Sequence, residues 1–138
     1  MTVEEGNVEV LRKGYALWSD SKAQSAEEWL NLMAEDVQWR SLGDGAAGAE
    51  FSKACRSKEE VRSYFEQLTG EWKLISYRVD EYIAQGDRVV MLGSCEWESK
   101  VNGKRVKTPK ADVFRLREGK IVDFMEYYDT AQVVAAAA

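Results

Sequence analysis

The spacing of apolar residues changes once along this chain, close to Trp72. Before that point apolar residues recur every three or four positions, as on one face of a helix, and after it they alternate with polar residues, as in a half-buried strand. Helices that precede strands, rather than alternating with them, are typical of an α+β fold. The sequence therefore predicts about three N-terminal helices that cover one face of a curved, mostly antiparallel sheet.

Two capping boxes mark the starts of the second and third helices. Ser25 is followed three residues later by Glu28, and Ser57 by Glu60, so that each serine and glutamate can satisfy the other's free backbone N–H. The first helix is predicted around residues 8–18. The inward-facing residues of the three helices are predicted to be Val8, Leu11, Tyr15 and Trp18; Trp29, Leu30, Leu32 and Met33; and Val61, Tyr64, Phe65 and Leu68.

A short strand and a meander complete the predicted fold. Residues 37–39 alternate like a strand, and the Gly- and Ala-rich stretch 43–48 is predicted to be a loop. Four further strands are predicted at 74–83, 88–99, 106–117 and 121–129, separated by the turns Gly86-Asp87, Asn102-Gly103 and Glu118-Gly119. Because no linker or repeat divides the chain, residues 1–138 are predicted to form a single domain.

The turn lengths predict which side chains share a face of the sheet. If Asn102-Gly103 is the whole hairpin loop, Gly93 lies opposite Asp112 and leaves room beside it. If the turn at Gly119 has three residues, Asp112 lies opposite Glu126, whereas a two-residue turn would reverse the alternation and separate the two carboxylates. A bulge at the proline of the first hairpin would also shift its register.

This register places an acidic group inside an aromatic surface. The residues predicted to share a face with Asp112 are Cys95, Trp97, Phe114, Phe124 and Tyr128, and Trp18 and Trp39 are expected to complete the lining. An apolar cavity with a few convergent polar groups is the usual form of a small-molecule site. Two adjacent carboxyls would share a proton near neutral pH, and Tyr15 would support a protonated Asp112 as a hydrogen-bond donor. The alternative is that these aromatic residues simply form the core.

The composition excludes several classes of chemistry. Because the chain has no histidine, histidine-based triads and histidine-ligated metal sites are excluded. Lys and Arg number 19 against 24 Asp and Glu, and the net charge of −5 argues against a nucleic-acid surface. The basic run from Lys100 to Lys110 is accordingly interpreted as the solvated end of a hairpin. No phosphate loop, dinucleotide fingerprint or metal-ligand spacing is present, so no cofactor is expected.

Location and assembly also follow from simple patterns. Cys55 and Cys95 lack CxxC spacing and are interpreted as reduced thiols of a cytoplasmic protein. The N-terminus has no signal-peptide pattern, and no apolar stretch is long enough to suggest a membrane partner. The run Val89–Leu92 is apolar on both faces of its strand, and the helices can cover only one of them. A homodimer packed through the sheet is therefore predicted.

Two segments and the order of the elements carry a resemblance to a known family. Residues 33–37 (MAEDV) and 111–121 (ADVFRLREGKI), together with the ending 126–129 (EYYD), resemble the SnoaL-like proteins of the nuclear transport factor 2-like superfamily. That superfamily includes ketosteroid isomerases, polyketide cyclases and limonene-epoxide hydrolases. The resemblance implies a cone-shaped, curved sheet wrapped round a long helix, the cystatin-like α+β barrel, with a pocket between helices and sheet and commonly a dimer.

At single positions the resemblance implies an incomplete site. Asp112 corresponds to the protonated aspartate of the isomerase oxyanion hole, and Tyr15 to its tyrosine. The general base of the isomerase falls on Ser41, and a pocket tyrosine of the third helix falls on Phe65. Glu126 matches one catalytic carboxylate of the epoxide hydrolases, whereas their second carboxylate is missing. The acid side of the pocket is therefore expected, without the known base.

Three functions remain open at this point. The first is a small-molecule pocket protein that acts as an acid/base isomerase, cyclase or lyase on a neutral hydrophobic compound, steroid-, polyketide- or terpenoid-like, with Asp112, Tyr15 and Glu126 as catalytic residues. The second is a non-catalytic binder or carrier of a hydrophobic ligand, which the missing base at Ser41 favours. The third is a protein-association module whose pocket is filled by its own side chains.

Overall fold

The fold consists of four α-helices and one five-stranded sheet. A computed structural model of the chain describes residues 1–138. The helices are α1 (Val3–Asp20), α2 (Ala26–Asn31), α3 (Lys58–Glu71) and α4 (Thr130–Ala137), and a 3-10 turn spans Glu50–Ser52. The strands are β1 (Met33–Ser41), β2 (Trp72–Gln85), β3 (Arg88–Ser99), β4 (Arg105–Arg117) and β5 (Lys120–Tyr128).

The sheet is open, and its strand order is β1-β5-β4-β3-β2. Strands β2 to β5 form the predicted antiparallel meander, and β1 joins it by pairing parallel to β5. Helices α1 and α3 pack on one face of this curved sheet, because they present the apolar stripes that the sequence predicts. The α+β fold class predicted from the sequence is confirmed. None of the helices is long and apolar enough to span a membrane.

The N-terminal elements differ from the prediction at one boundary. Helix α2 ends at Asn31, and Met33 opens strand β1 instead of closing the helix. The reason is a tertiary one: the Ile121 N–H donates to the carbonyl oxygen of Leu32 at 2.8 Å, and Met33 pairs with Ile121. Pairing with β5 thus overrides the helical spacing that carried the prediction to Met33.

The β3–β4 hairpin has a longer loop than predicted. The N–H of Ser99 donates to the carbonyl of Lys104 at 2.8 Å, so four residues, 100–103, form the loop. Only Gly103 among them has a positive φ, 75°, whereas a type I′ turn needs two such residues. Asn102 instead donates its side-chain amide to the carbonyl of Ala136 in α4. The loop prediction was therefore wrong.

The longer loop moves the register by two residues and leaves the predicted faces unchanged. Asp112 pairs with Met91 rather than Gly93, and Gly93 pairs with Lys110. Because a shift of two residues preserves the alternation, Asp112 still shares a face with Cys95. The strand carries no bulge at Pro109.

The β4–β5 turn has the length of one sequence alternative, two residues, and the strand pairing of the other, Asp112 with Glu126. Glu118 and Gly119 both have positive φ, 52° and 77°, and form a two-residue turn, one of the two lengths that the sequence left open. A shift in register just after the turn, where Leu116 pairs with Ile121 and Arg115 with Asp123, preserves the alternation that a two-residue turn alone would reverse. Asp112 consequently pairs with Glu126, the pairing that the sequence allowed only for a three-residue turn.

Candidate functional site

A cavity lies between the helices and the inner face of the sheet. Its volume is about 80 Å³, and 17 of its 21 lining residues are hydrophobic. All five tryptophans of the chain line it, namely Trp18, Trp29, Trp39, Trp72 and Trp97. The rings contact one another closely; Trp39 and Phe124, for example, stack with centroids 3.7 Å apart. The cavity therefore offers an aromatic, mostly apolar environment.

Nearly all of the predicted site residues line this cavity. These are Asp112, Tyr15 and Glu126, together with Trp18, Trp39, Phe65, Cys95, Trp97, Phe114, Phe124 and Tyr128. Ser41 is buried but is not part of the lining; its hydroxyl lies 2.8 Å from that of Tyr128. The hydroxyl of Ser41 is therefore hydrogen-bonded to another side chain of this protein and does not face a ligand in the cavity.

Asp112 lies at the polar end of the cavity and is 1% exposed. Its Oδ2 accepts hydrogen bonds from the hydroxyls of Tyr15, at 2.5 Å, and Tyr77, at 3.3 Å. Its Oδ1 is buried and has no hydrogen-bond partner. Since a buried carboxylate oxygen is costly to leave unpaired, this oxygen is available to a proton or to a ligand.

Lys110 joins the two carboxylates. Its Nζ lies 2.7 Å from Oε2 of Glu126 and 3.3 Å from Oδ1 of Asp112, and only 10% of its side chain is exposed. The other oxygen of Glu126 accepts a hydrogen bond from the Tyr64 hydroxyl at 2.8 Å. The interpretation of Lys110 as part of a solvated hairpin end was therefore wrong. Lys110 and Asp112 of β4 and Glu126 of the neighbouring strand β5 point to the same side of the sheet. These three charged groups therefore meet inside the cavity.

Burial and mutual charge set the protonation of this cluster. Burial raises the pKa of the Asp112 carboxyl, Lys110 lowers it and Glu126 raises it again, and the net result is a raised pKa. Burial opposes the charge of Lys110, but Asp112 and Glu126 outweigh this effect and raise the pKa of Lys110 well above that of a free lysine. Lys110 is thus positively charged near neutral pH, and the carboxyl of Asp112 keeps its proton to a higher pH than an exposed aspartate does.

The tyrosines around the cluster are held in the neutral form. Burial, followed by the nearby charge of Asp112, raises the pKa of Tyr15 and Tyr77 well above the usual value. Burial and Glu126 do the same for Tyr64. Three neutral phenols therefore donate hydrogen bonds to the two carboxyl groups. No group of acidic residues and cysteines in the structure is arranged to hold a metal ion.

The sequence of residues 11–124 matches the family model of the SnoaL-like domain. The chain belongs to this family. The resemblance carried by residues 33–37 and 111–121 is thereby confirmed, and residues 126–129 lie beyond the matched range. No curated protein matches the sequence.

Solved structures with the same fold cover almost the whole SnoaL-like chain. An NTF2-like protein from Burkholderia thailandensis E264 is 27% identical, with a TM-score of 0.81 over 96% of this chain and 97% of that one. TerC, co-crystallized with polyporic acid, is 22% identical, with a TM-score of 0.78 over 96% and 98% of the two chains. A SnoaL-like polyketide cyclase candidate from Jannaschia sp. CCS1 is 18% identical, with a TM-score of 0.80 over 99% and 94%.

Sequence reasoning missed three polar residues of this SnoaL-like site. Lys110 lies two residues before Asp112, so the alternation that turns Asp112 inward also turns Lys110 inward. Tyr64 was predicted to face the core, but the pocket tyrosine of the third helix was expected at Phe65. Tyr77 had no usable signal, because a bulge between Leu74 and Ser76 changes which residues of β2 face inward.

Proposed function

We propose that this SnoaL-like protein is an acid/base catalyst, without a cofactor, for a small hydrophobic carbonyl compound. The reaction class is isomerisation, cyclisation or lyase chemistry on a steroid-, polyketide- or terpenoid-like molecule. The observation that carries the proposal is a buried carboxyl with a raised pKa, Asp112, at the polar end of an aromatic cavity. The likeness to a polyketide cyclase candidate and to a protein co-crystallized with polyporic acid supports the same choice of ligand.

In the proposed mechanism four residues have separate roles. Protonated Asp112, held by Tyr15, donates its proton from Oδ1 to the carbonyl oxygen of the substrate. Glu126 accepts the proton of the adjacent carbon, and the electron pair of that C–H bond becomes the C=C bond of an enol. Lys110 stabilises the negative charge that develops on the oxygen. Return of a proton to a different carbon gives the isomer, and attack of the enol carbon on a second carbonyl closes a ring.

The ligand that this cavity accepts is expected to enter without net charge. The protein carries a net charge of −5, which repels anions at a distance. Both cysteines are free and buried, in keeping with the cytoplasmic location that we propose for the protein.

The test combines a ligand screen with a matched pair of variants. Steroids, aromatic polyketides and terpenoid epoxides are titrated against tryptophan fluorescence, since all five tryptophans line the cavity. With a ligand that is turned over, Asp112→Asn is expected to lower kcat about a hundredfold or more. The control is Asp80→Asn, an exposed aspartate of β2 paired only with Arg78. Unchanged turnover in Asp112→Asn would exclude Asp112 as the acid.

A second candidate function is non-catalytic binding of a hydrophobic ligand. Ser41, the position of the missing base, is hydrogen-bonded to Tyr128 and does not line the cavity, which favours this alternative. A carrier would bind one ligand class saturably, leave it chemically unchanged and tolerate Asp112→Asn. Product analysis after prolonged incubation with the bound ligand separates the two functions.

A further inference from the structure

Two groups at the polar end of the cavity have unused hydrogen-bonding capacity. Oδ1 of Asp112 has no hydrogen-bond partner, although it is buried. The ammonium group of Lys110 has three N–H bonds and makes one hydrogen bond, to Oε2 of Glu126. Nζ of Lys110 and Oδ1 of Asp112 are 3.3 Å apart, so a single ligand oxygen can lie within hydrogen-bond distance of both.

We propose that this pair of groups binds the oxygen of a small organic acid, with the acid bound as an anion beside Lys110 and one proton taken up from solvent by Asp112. The inference rests on the proposed function only in placing the ligand in the same cavity. It adds the charge class of the ligand and the proton that accompanies it. The bound anion and the proton on Asp112 together add no net charge to the protein, which already carries a net charge of −5.

The charges in the cluster make the proton necessary. Asp112 and Glu126 carry two negative charges against the single positive charge of Lys110, all within hydrogen-bond or ion-pair distance. A bound anion would add a third negative charge in a cavity that excludes water, where charges interact more strongly than in solution. Protonation of one carboxylate keeps the charge of the cluster unchanged on binding.

Asp112 is the group that takes up the proton. The groups that face it are Tyr15 from α1, Tyr77 from β2, Cys95 from β3, Lys110 from β4 and Glu126 from β5, and Tyr64 from α3 faces Glu126. Only Asp112 and Glu126 among them are carboxyls. Both oxygens of Glu126 already accept hydrogen bonds, from Tyr64 and Lys110, whereas Oδ1 of Asp112 accepts none and has only an ion-pair contact with Lys110. When Oδ1 is protonated, its O–H donates a hydrogen bond to the ligand oxygen. Burial raises the pKa of Asp112 and so also favours the protonated form.

The size and walls of the cavity define the rest of the ligand. A cavity of about 80 Å³ has room for the single ring or short chain of a small acid. Aromatic walls favour an apolar body, and Lys110 favours a single oxyanion at one end. Benzoate and butyrate fit this description, and their amides, benzamide and butyramide, have the same shape without the charge.

Calorimetry of the wild-type protein gives the first test. Benzoate and benzamide are titrated between about pH 5 and pH 8, in pairs of buffers with different ionisation enthalpies. Benzoate is expected to bind at least tenfold more tightly than benzamide at the acid end and to take up about one proton. Its Kd is expected to rise about tenfold for each pH unit over which Asp112 is ionised in the free protein.

Variants locate the proton. In Asp112→Asn the uptake of a proton is expected to vanish and the affinity for benzoate to become independent of pH. Persistent proton uptake in this variant would mean that the ligand binds as the neutral acid, and the inference would be wrong. Lys110→Gln is expected to lose the preference for benzoate, and Lys107→Gln, an exposed lysine of the same strand, is the control. If Lys110→Gln does not fold, the wild-type calorimetry still decides.

The outcomes separate this inference from the proposed function. Benzamide that binds as tightly as benzoate, without proton uptake, overturns the inference and leaves an open ligand cavity. Failure of benzoate, butyrate and both amides to bind overturns the inference as well. If the ligand screen is positive in that case, the cavity accepts other compounds and the proposed function stands; if the screen is also negative, both fail.

Discussion

At the scale of single residues, Lys110 has the largest expected effect on stability. Removal of one partner from a buried ion pair leaves an uncompensated charge, and here two carboxylates would face each other without a cation. Lys110→Met is therefore expected to lower the free energy of unfolding by about 3 to 5 kcal/mol. Urea unfolding measures this change, and the loss is expected to shrink in acid, where Asp112 is protonated.

The control for this variant lies three residues away on the same strand. Lys107 is exposed, and Lys107→Met is expected to change stability by less than about 0.5 kcal/mol. Similar effects of the two substitutions would mean that the amine of Lys110 is hydrated. The burial of Lys110 was not predicted from the sequence, because residues 100–110 form a basic run and such runs are usually solvated. The alternation of the strand, which was applied to Asp112, would have identified it.

At the scale of elements, β2 lies close to β3 at Gly93, beside a bulge of β2. A Cβ at position 93 would collide with the carbonyl oxygen of Arg78 and lie 3.1 Å from Sδ of Met91. Because backbone cannot move aside as a side chain can, Gly93→Ala is expected to destabilise the protein by about 1 to 3 kcal/mol. Chemical denaturation checks this.

Gly70 gives the matched control within helix α3. A Cβ there meets nothing within 4 Å, and Gly70→Ala is expected to stabilise the protein by about 0.5 to 1 kcal/mol, since alanine favours the helix. Equal stability of wild type and Gly93→Ala would show that β2 can retreat from β3. From the sequence, Gly93 was expected to lie opposite Asp112 and to leave room beside it. In the structure, the absence of a side chain at Gly93 instead allows β2 to approach β3 closely.

A contact could be predicted from the sequence only where it follows from the spacing of residues within one helix or strand. Helical periodicity placed Tyr15 and Tyr64 inward, because this pattern repeats within each helix. The pairing of Asp112 with Glu126 depended instead on the length of the turn at Gly119, which the sequence left open, and on a register shift that it did not reveal. The register of β3 with β4 could not be predicted, since Asn102 is held by the end of α4, far along the chain. Bulges likewise depend on neighbouring strands, which is why Tyr77 was missed.

At the scale of the whole molecule, the buried cluster determines the response to alkali. The folded pKa values of Lys110, Tyr15, Tyr64 and Tyr77 are all raised above their unfolded values of about 10. Folding therefore favours the protonated form of each group. Their contribution to stability is complete below about pH 10 and is lost as the pH rises through the raised folded values.

The expected result is cooperative unfolding in alkali that coincides with ionisation of the buried tyrosines. Phenolate absorbance follows the ionisation, and tryptophan fluorescence follows the unfolding, since all five tryptophans line the cavity. The two transitions should overlap for the buried fraction of the phenols. Complete and reversible ionisation of every tyrosine while the fluorescence stays native would contradict the assigned burial of the cluster.

The outer face of the sheet carries two apolar rows of residues. Ile83, Val90, Val113 and Met125 pair in turn across β2, β3, β4 and β5 and form one apolar row. Leu92, Ala111 and Tyr127 form a second row beside it. Ile83 is 52% exposed and Tyr127 44%, and the helices lie on the opposite face. A contiguous apolar patch of this kind is typical of an interface between copies of a chain.

The homodimer expected from the sequence is therefore predicted to form through these two rows. The same patch on two copies related by a two-fold axis is self-complementary, and its centre lies at Val113, which pairs with both Val90 and Met125. Val113→Glu would bury a charge at that centre and is expected to give a monomer in sedimentation, whereas Val101→Glu, in the exposed β3–β4 loop, should leave the dimer intact. A wild-type protein that sediments only as a monomer at micromolar concentration would exclude this interface, and the outer rows would then have to be explained without a second copy.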